Sequence, residues 1–173
     1  MATLAHKLKR MKEVIFMRHG KSSWEYNVGD QDRPLNPRGI GDAHLVGSEF
    51  ASLGIPLDAI YSSPANRALH TCMIAVKEMG QALGNVRIED QLYDFSGEKV
   101  LSFLKGLNNK STTVMVFGHN HAFTHLANTL GSKKLDNVPT SGLVHLRFEV
   151  THWGDLRKGE TKNIIFPKQL KSL

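Results

Sequence analysis

Residues 14–24 read Val-Ile-Phe-Met-Arg-His-Gly-Lys-Ser-Ser-Trp, and the rest of the chain is organised around this stretch. Four consecutive apolar residues, Val14 to Met17, predict a strand buried on both faces. Arg18, His19 and Gly20 follow at once, placing a cation, an imidazole and a permissive backbone position at the strand's carboxyl end. In open α/β sheets, ligands bind in the crevice outside those ends. An arginine beside a histidine there points to an anion site with its own nucleophile.

The same arrangement recurs twice downstream. Leu57–Tyr61 reads as a strand opening into Ser62-Ser63-Pro64-Ala65-Asn66-Arg67, and Thr112–Phe117 as one opening into Gly118-His119-Asn120-His121. Helices are expected between them. One carries Ile40, Ala43, Val46 or Gly47, Phe50 and Leu53 at helical spacing, and a second runs from Ala65 through Cys72 to Leu83. A third is expected over Glu98–Leu107 and a fourth from Phe123 to Leu130, with a short strand at Val86–Ile88 and another at Leu143–Val150. The final twenty residues show little periodicity. Strands alternating with helices imply βαβ units, hence a single three-layer α/β/α domain with a mostly parallel central sheet. That domain is expected to span residues 1–173, with 1–11 as a basic N-terminal extension. The polar stretch Gly20–Gly39 is long for a connection, and such loops tend to be functional.

Composition narrows the classes. At 173 residues, 40% hydrophobic and 22% charged, the chain can bury a full core. No run approaches about 20 apolar residues, so no membrane association is expected. The basic N-terminus lacks the apolar core of a signal peptide. A single cysteine, Cys72, excludes an intrachain disulfide and fits a reducing cytoplasm; its place on an apolar stripe makes it a core residue. The net charge of +6 sits on the ends: residues 1–12 and 156–173 hold nine bases and one acid, leaving 13 bases and 15 acids elsewhere. That distribution argues against a nucleic-acid partner; the basic ends either meet an acidic partner or aid solubility.

In a parallel sheet the three strand ends share one edge, so Arg18, His19, Arg67 and His119 can converge. Two arginine forks and two imidazoles make a pocket for a phosphoryl dianion. One histidine can attack phosphorus while the other donates to the equatorial oxygens. Positive neighbours would lower the His19 pKa and keep a ring nitrogen free. Such a set needs neither metal nor other cofactor, because phosphoryl transfer relies mainly on positioning and charge stabilisation.

Arg18-His19-Gly20, Ser63-Pro64-x-x-Arg67-Ala68-x-x-Thr71 and Gly118-His119, in that order, closely resemble the histidine phosphatase (phosphoglycerate mutase-like) superfamily. The finer wording, RHGKSSW, DRPLNPRG, GHNH and a C-terminal F-P-K-x-L, is similar to the compact SixA-type phosphohistidine phosphatases. The resemblance runs from about Glu13 to Leu170. It implies a covalent mechanism in which His19 takes the phosphoryl group and water then releases phosphate. It further implies that Arg18 and Arg67 hold the phosphoryl oxygens, that His119 stabilises the transition state, and that Arg33 reaches the phosphate too. Arg33 capping Asp30 or Asp32 is an equal alternative. The substrate would be a phosphorylated molecule, with a phosphohistidine-bearing protein first and a small phosphomonoester second.

Two departures stand out. Mutase-like members usually carry asparagine six residues after the nucleophile, where Glu25 stands here, and their glutamate acid has Asp94 as its nearest match. Asp94 is therefore a candidate general acid, against a turn residue in D-F-S-G. Mutase activity is less expected, since no substrate-enclosing segment is apparent. A rival reading is a phosphate-binding module without turnover. Another is a metal hydrolase using His119, His121 and His125, although Phe123 stands where that class needs aspartate. Trp24 and Tyr26 form either a rim for a protein substrate or a cover for the site loop.

Overall fold

The computed structural model describes residues 3, 4 and 11–172. Six strands form one sheet: β1 (Lys12–Arg18), β2 (Ala59–Ser62), β3 (Val86–Ile88), β4 (Thr113–Gly118), β5 (Leu143–Phe148) and β6 (Glu160–Ile165). Among residues 11–172, five α-helices accompany them: α1 (Pro37–Ser52), α2 (Asn66–Glu78), α3 (Glu98–Lys105), α4 (Ala122–Leu130) and α5 (Pro167–Lys171). The spatial order is β3-β2-β4-β1-β5-β6. The first four in that order run parallel, and β5 and β6 add antiparallel pairs. This is the three-layer α/β/α architecture, with a mostly parallel sheet.

Why β1 and β4 sit at the centre follows from their side chains. Val14 and Phe16 of β1, with Val114 and Val116 of β4, enter one core with residues of α3 and α4. Ile15, Met17, Met115 and Phe117 enter the other, with Val46 and Phe50 of α1 and Cys72, Ala75 and Val76 of α2. A strand with both faces covered must be apolar at every position, and burying each such side chain contributes about 1.5–3 kcal/mol. Burial also pushes the Cys72 thiol up to about 12, which leaves it unreactive packing.

Some expectations need correction. β2 begins two residues later than Leu57, because Asp58 turns to accept hydrogen bonds from Thr112 and Thr113 instead of extending the strand. The last twenty residues, which show little periodicity, hold β6 and α5. The bases there are not a free tail, since Lys162 pairs with Glu160 at 3.3 Å and Lys171 with Asp42 at 2.5 Å. Lys12, counted with the basic N-terminus, opens β1; its buried ammonium donates to the carbonyls of Asn109 and Ser111 and lies 5.6 Å from the Trp153 ring. The remainder of the basic extension, apart from residues 3, 4 and 11, lies outside the described residues. Among the described residues, no helix is long and apolar enough to cross a membrane.

The Gly20–Gly39 stretch is ordered into a loop clasped at its base. Ser22 bridges to Leu35, Ser23 N donates to the Pro34 carbonyl at 2.8 Å, and Asn36 N to Lys21 at 2.9 Å. A Cβ on Gly20 would stand 2.7 Å from the Gly39 carbonyl oxygen, and one on Gly39 would stand 2.2 Å from that of Lys21. Glycine at both positions lets the strand end press against the start of α1, whose first turn Asn36 caps through Gly39 N. The loop tip is thereby folded back as a short 3₁₀ turn, Asp30–Asp32.

Candidate active site

Parallel pairing brings the three strand ends together. Arg18 lies opposite Gly118 in the β1–β4 register, and Ser62 opposite Phe117 in the β2–β4 register. Arg67 lies in the first turn of α2, with three residues between the end of β2 at Ser62 and the helix start at Asn66, and its guanidinium is buried. Thr71, one helical turn on, accepts from Gly20 N at 2.8 Å and donates to the Arg67 carbonyl at 2.7 Å, so α2 holds the β1 exit in place.

The His19 and His119 rings lie 5.2 Å apart between centroids, both buried. His19 Nδ1 is 2.8 Å from the Gly20 carbonyl oxygen, which can only accept, so Nδ1 carries the proton and Nε2 presents a lone pair. Arg67 Nε donates to that Nε2 at 3.3 Å, and Arg67 Nη2 donates to His119 Nδ1 at 3.4 Å. With Nδ1 accepting, His119 carries its proton on Nε2, 2.8 Å from the Ser63 hydroxyl. One arginine therefore holds both imidazoles in defined tautomers.

Burial pushes His19 down to about 3; the Gly20 carbonyl opposes the shift, and Arg67, Arg18 and Arg33 add to it. Burial likewise pushes His119 down to about 3, aided by His19 and Arg67 and opposed by Asp30. Both rings are neutral at physiological pH. In the unfolded chain histidine titrates near its ordinary value of about 6.5, so between that pH and about 3 only the unfolded state takes up the protons. Stability is therefore complete above about pH 6.5 and falls as the pH drops, by up to about 1.4 kcal/mol per pH unit for each histidine. Denaturant titrations at pH 7.5 and 5.0 should show this loss, and His119→Gln should make it shallower.

Arg18 Nη1 donates to the Val138 carbonyl at 2.8 Å, while its Nε is buried and, among the described residues, has no partner, as is the case for the Nε of Arg33. Arg33 also donates to Asp30 Oδ1 at 2.7 Å and to the Ser22 hydroxyl, and its guanidinium lies 3.9 Å from the Trp24 ring. Tyr93 and Phe95 approach His119, with centroids 5.3 Å and 5.2 Å away. Three arginines and two histidines thus meet at the strand ends, with Trp24 against Arg33 and Tyr93 and Phe95 against His119.

Comparison with known proteins gives the family of the chain. The model of the histidine phosphatase superfamily (branch 1) matches residues 14–100, which carry the first two motifs. The chain belongs to the histidine phosphatase superfamily. A Mycobacterium tuberculosis protein of uncharacterized function is 31% identical over 83% of this chain and 93% of its own length. The 2,3-bisphosphoglycerate-dependent phosphoglycerate mutase of Azorhizobium caulinodans is 33% identical over 55% of this chain, but only 46% of the mutase is spanned. A structure of the protein histidine phosphatase SixA complexed with tungstate shares the fold, with TM-score 0.77 and 20% identity over 91% of this chain and 99% of that one. A structure provisionally assigned as the phosphohistidine phosphatase SixA from Agrobacterium tumefaciens is 26% identical, with TM-score 0.66 over 78% and 90% of the two chains. Membership in this superfamily supports phosphatase activity.

Within this superfamily member, Arg18, His19, Arg67 and His119 are brought together from three strand ends, and Arg33 reaches their edge while also making the contact with Asp30 expected as its alternative. Asp94 is placed otherwise. Its Oδ2 accepts from the backbone N–H groups of Gly97 at 3.0 Å, Lys99 at 3.0 Å and Val100 at 3.1 Å. Its Oδ1 takes the Ser96 N–H and hydroxyl, both at 3.1 Å. Burial alone would raise this carboxyl, but the Val100, Ser96 and Gly97 hydrogen bonds outweigh it and hold it below the ordinary range. Gly97, at the start of α3, has no side chain for the task, so Asp94 caps that helix from the loop. The general-acid expectation gives way to the turn-residue reading. Asp94→Ala should therefore lower stability by about 0.5–2 kcal/mol in a denaturant titration, with kcat falling less than about tenfold.

His121 and His125 are exposed, unlike His119, so the three do not converge as ligands. Among the described residues, no group of three or more histidine, cysteine or acidic side chains is placed to hold a metal. Glu25 is exposed beside Trp24, itself 77% exposed. From the sequence, Ser63 and Thr71 are only motif members, Asp30 is only a partner for Arg33, and Tyr93 has no assigned role. The first two were recoverable: Thr71 lies one turn from Arg67, and Ser63 ends a strand neighbouring His119.

Proposed function

We propose that the protein is a metal-independent phosphatase acting through a covalent phosphohistidine on His19, with a phosphohistidine-bearing protein as substrate. The observation that carries this is the unprotonated Nε2 of His19, aimed at the Arg67 guanidinium that also holds His119. In the first step Nε2 bonds to phosphorus as the bond to the leaving nitrogen or oxygen breaks, and the leaving group takes its proton from water. In the second, water attacks phosphorus, the N–P bond breaks, and inorganic phosphate departs with His19 neutral again. Arg67, Arg18 and Arg33 supply the charge that both steps need; the unpaired Nε donors of the latter two are costly when buried alone and find partners in phosphoryl oxygens. His119 donates to an equatorial oxygen once its Nδ1 is protonated.

The substrate assignment rests on two features. With Asp94 committed to the α3 cap, the described site holds no evident acid for an alkoxide, whereas the imidazole of phosphohistidine leaves more readily. The rim is open and aromatic, with Trp24 77% and Phe95 47% exposed, which suits a side chain presented by a protein. A small phosphomonoester is the second substrate class. The single cysteine fits a cytoplasmic setting.

Side-by-side assays with a phosphorylated histidine protein and a panel of small phosphoesters, each with EDTA, test the proposal. Chelator-resistant turnover with preference for the phosphohistidine protein is expected. Loss of turnover on chelation would move the assignment to a metal hydrolase, and phosphate binding without turnover would leave only a recognition module.

A further inference from the structure

The loop between β1 and α1 carries a carboxylate into the basic cluster. Asp30 Oδ2 accepts from Arg67 Nη2 at 2.9 Å and from the Tyr93 hydroxyl, and Oδ1 accepts from Arg33 Nη2 at 2.7 Å. The Asp30 carbonyl takes Arg67 Nη1 at 2.5 Å. One loop residue thus engages both prongs of Arg67 and one prong of Arg33. In the function proposed above, those two arginines supply charge to the phosphoryl group. We infer that Asp30 is a specificity-determining residue: its carboxylate occupies the arginine fork that the phosphoryl group must take over, so only a ligand more negative than a carboxylate enters.

The loop is the partner able to move. Asp30 is 46% exposed and belongs to a three-residue 3₁₀ turn with no buried residue, whereas Arg67 is 2% exposed and fixed on α2. The backbone pairs that clasp the loop lie at its base, between Ser22–Ser23 and Pro34–Leu35 and between Lys21 and Asn36. A swing of the tip leaves them in place and breaks the exposed hydrogen bond from Asn66 Nδ2 to the Asp32 carbonyl at 3.1 Å. The exchange favours dianions on charge alone. A phosphoryl group carries between about −1.5 and −2 at neutral pH, so it outcompetes a single carboxylate for two guanidinium groups. A carboxylate or sulfate-ester monoanion has no such advantage. The arginine pair is also kept paired while the site is free, which avoids the cost of burying unmatched charge. Tyr93 is the latch on this arrangement, since its hydroxyl fixes the same carboxylate oxygen that Arg67 holds.

The inference rests on the phosphoryl pocket proposed above, and calorimetric titration with inorganic phosphate at fixed pH and ionic strength separates the two. Wild type, Asp30→Asn, Tyr93→Phe, Asp32→Asn and Arg67→Ala are compared, with circular dichroism to verify folding. Asp30→Asn should tighten phosphate binding by about tenfold or more, and Tyr93→Phe by about threefold, because each weakens the internal competitor. Asp32→Asn, which removes the same charge two residues away, should change it by less than about twofold. If Arg67→Ala leaves phosphate affinity unchanged, the pocket itself is misassigned. If Arg67→Ala weakens binding but Asp30→Asn does not tighten it, or tightens it no more than Asp32→Asn, the carboxylate is not a competitor and the inference is overturned. Tyr93→Phe, at a half-buried position, keeps the test decisive should Asp30→Asn fail to fold: no tightening there overturns it equally.

Discussion

His19→Ala should abolish turnover, lowering kcat by about 10⁴-fold or more while the protein stays folded, a loss of about 5.4 kcal/mol in transition-state stabilisation. The size follows from covalent catalysis: without the nucleophile the whole first step disappears, and the remaining arginines can only bind. The fold should survive, because the side chain's polar partners are one carbonyl and the Arg67 Nε, both at the site edge of the sheet and outside the two cores. Rate alone does not say which histidine attacks, since the two rings are 5.2 Å apart and both are neutral. Rapid quenching with labelled substrate does. A phosphohistidine adduct, stable to alkali and labile to acid, should form in wild type and in His119→Ala but be absent in His19→Ala. Label retained in His19→Ala and lost in His119→Ala would exchange their roles. Each ring has one basic nitrogen, His19 Nε2 and His119 Nδ1, and both accept from Arg67, so the tautomers do not separate the two and the position of the label decides.

What could be read from the sequence and what could not divide along physical lines. β1 and β4 are flanked by strands and covered on both faces, so each must be apolar throughout and each ends abruptly where polar chemistry begins; that pattern exposed Arg18, His19 and His119. Arg67 followed because α2 has a clear apolar stripe and starts shortly after β2. β6 is an edge strand, ETKNII, that buries only Thr161 and Ile165 and departs from regular register at its β5 partner, so it has neither an apolar run nor clean alternation. α5, five residues long, is shorter than two helical turns and cannot show a stripe. The Asp30 contact with Arg67 spans 37 positions, joins a loop carboxylate to a helix arginine and depends on the backbone path of an irregular segment. Nothing in the local pattern distinguishes Asp30 from Asp32. Asp94 misled for the opposite reason. Its chemical type fits an acid, but three backbone N–H groups, invisible in a one-letter string, commit it to a cap.

Arg67→Ala should lower kcat/KM by about 10³-fold or more, and Arg67→Lys should recover little of it. This single guanidinium donates to His19 Nε2, His119 Nδ1, the Asp30 carboxylate and the Asp30 carbonyl. Removing it deprives the phosphoryl group of a fork, frees both imidazoles from their tautomers and releases the loop. It also removes a positive neighbour from each histidine, so both should titrate at higher pH than in wild type, readable from their ring-proton shifts. A structural role alone predicts something different: Arg67 is 2% exposed, so truncation leaves a void and costs stability whatever the site does. Lysine separates the two. It keeps a positive charge and much of the buried stem but presents a point donor in place of a planar fork. If Arg67→Lys melts near wild type yet stays slow, with kcat and phosphate affinity both reduced, the fork geometry carries the effect. If it restores kcat/KM to within about tenfold, charge alone suffices and the bidentate assignment fails.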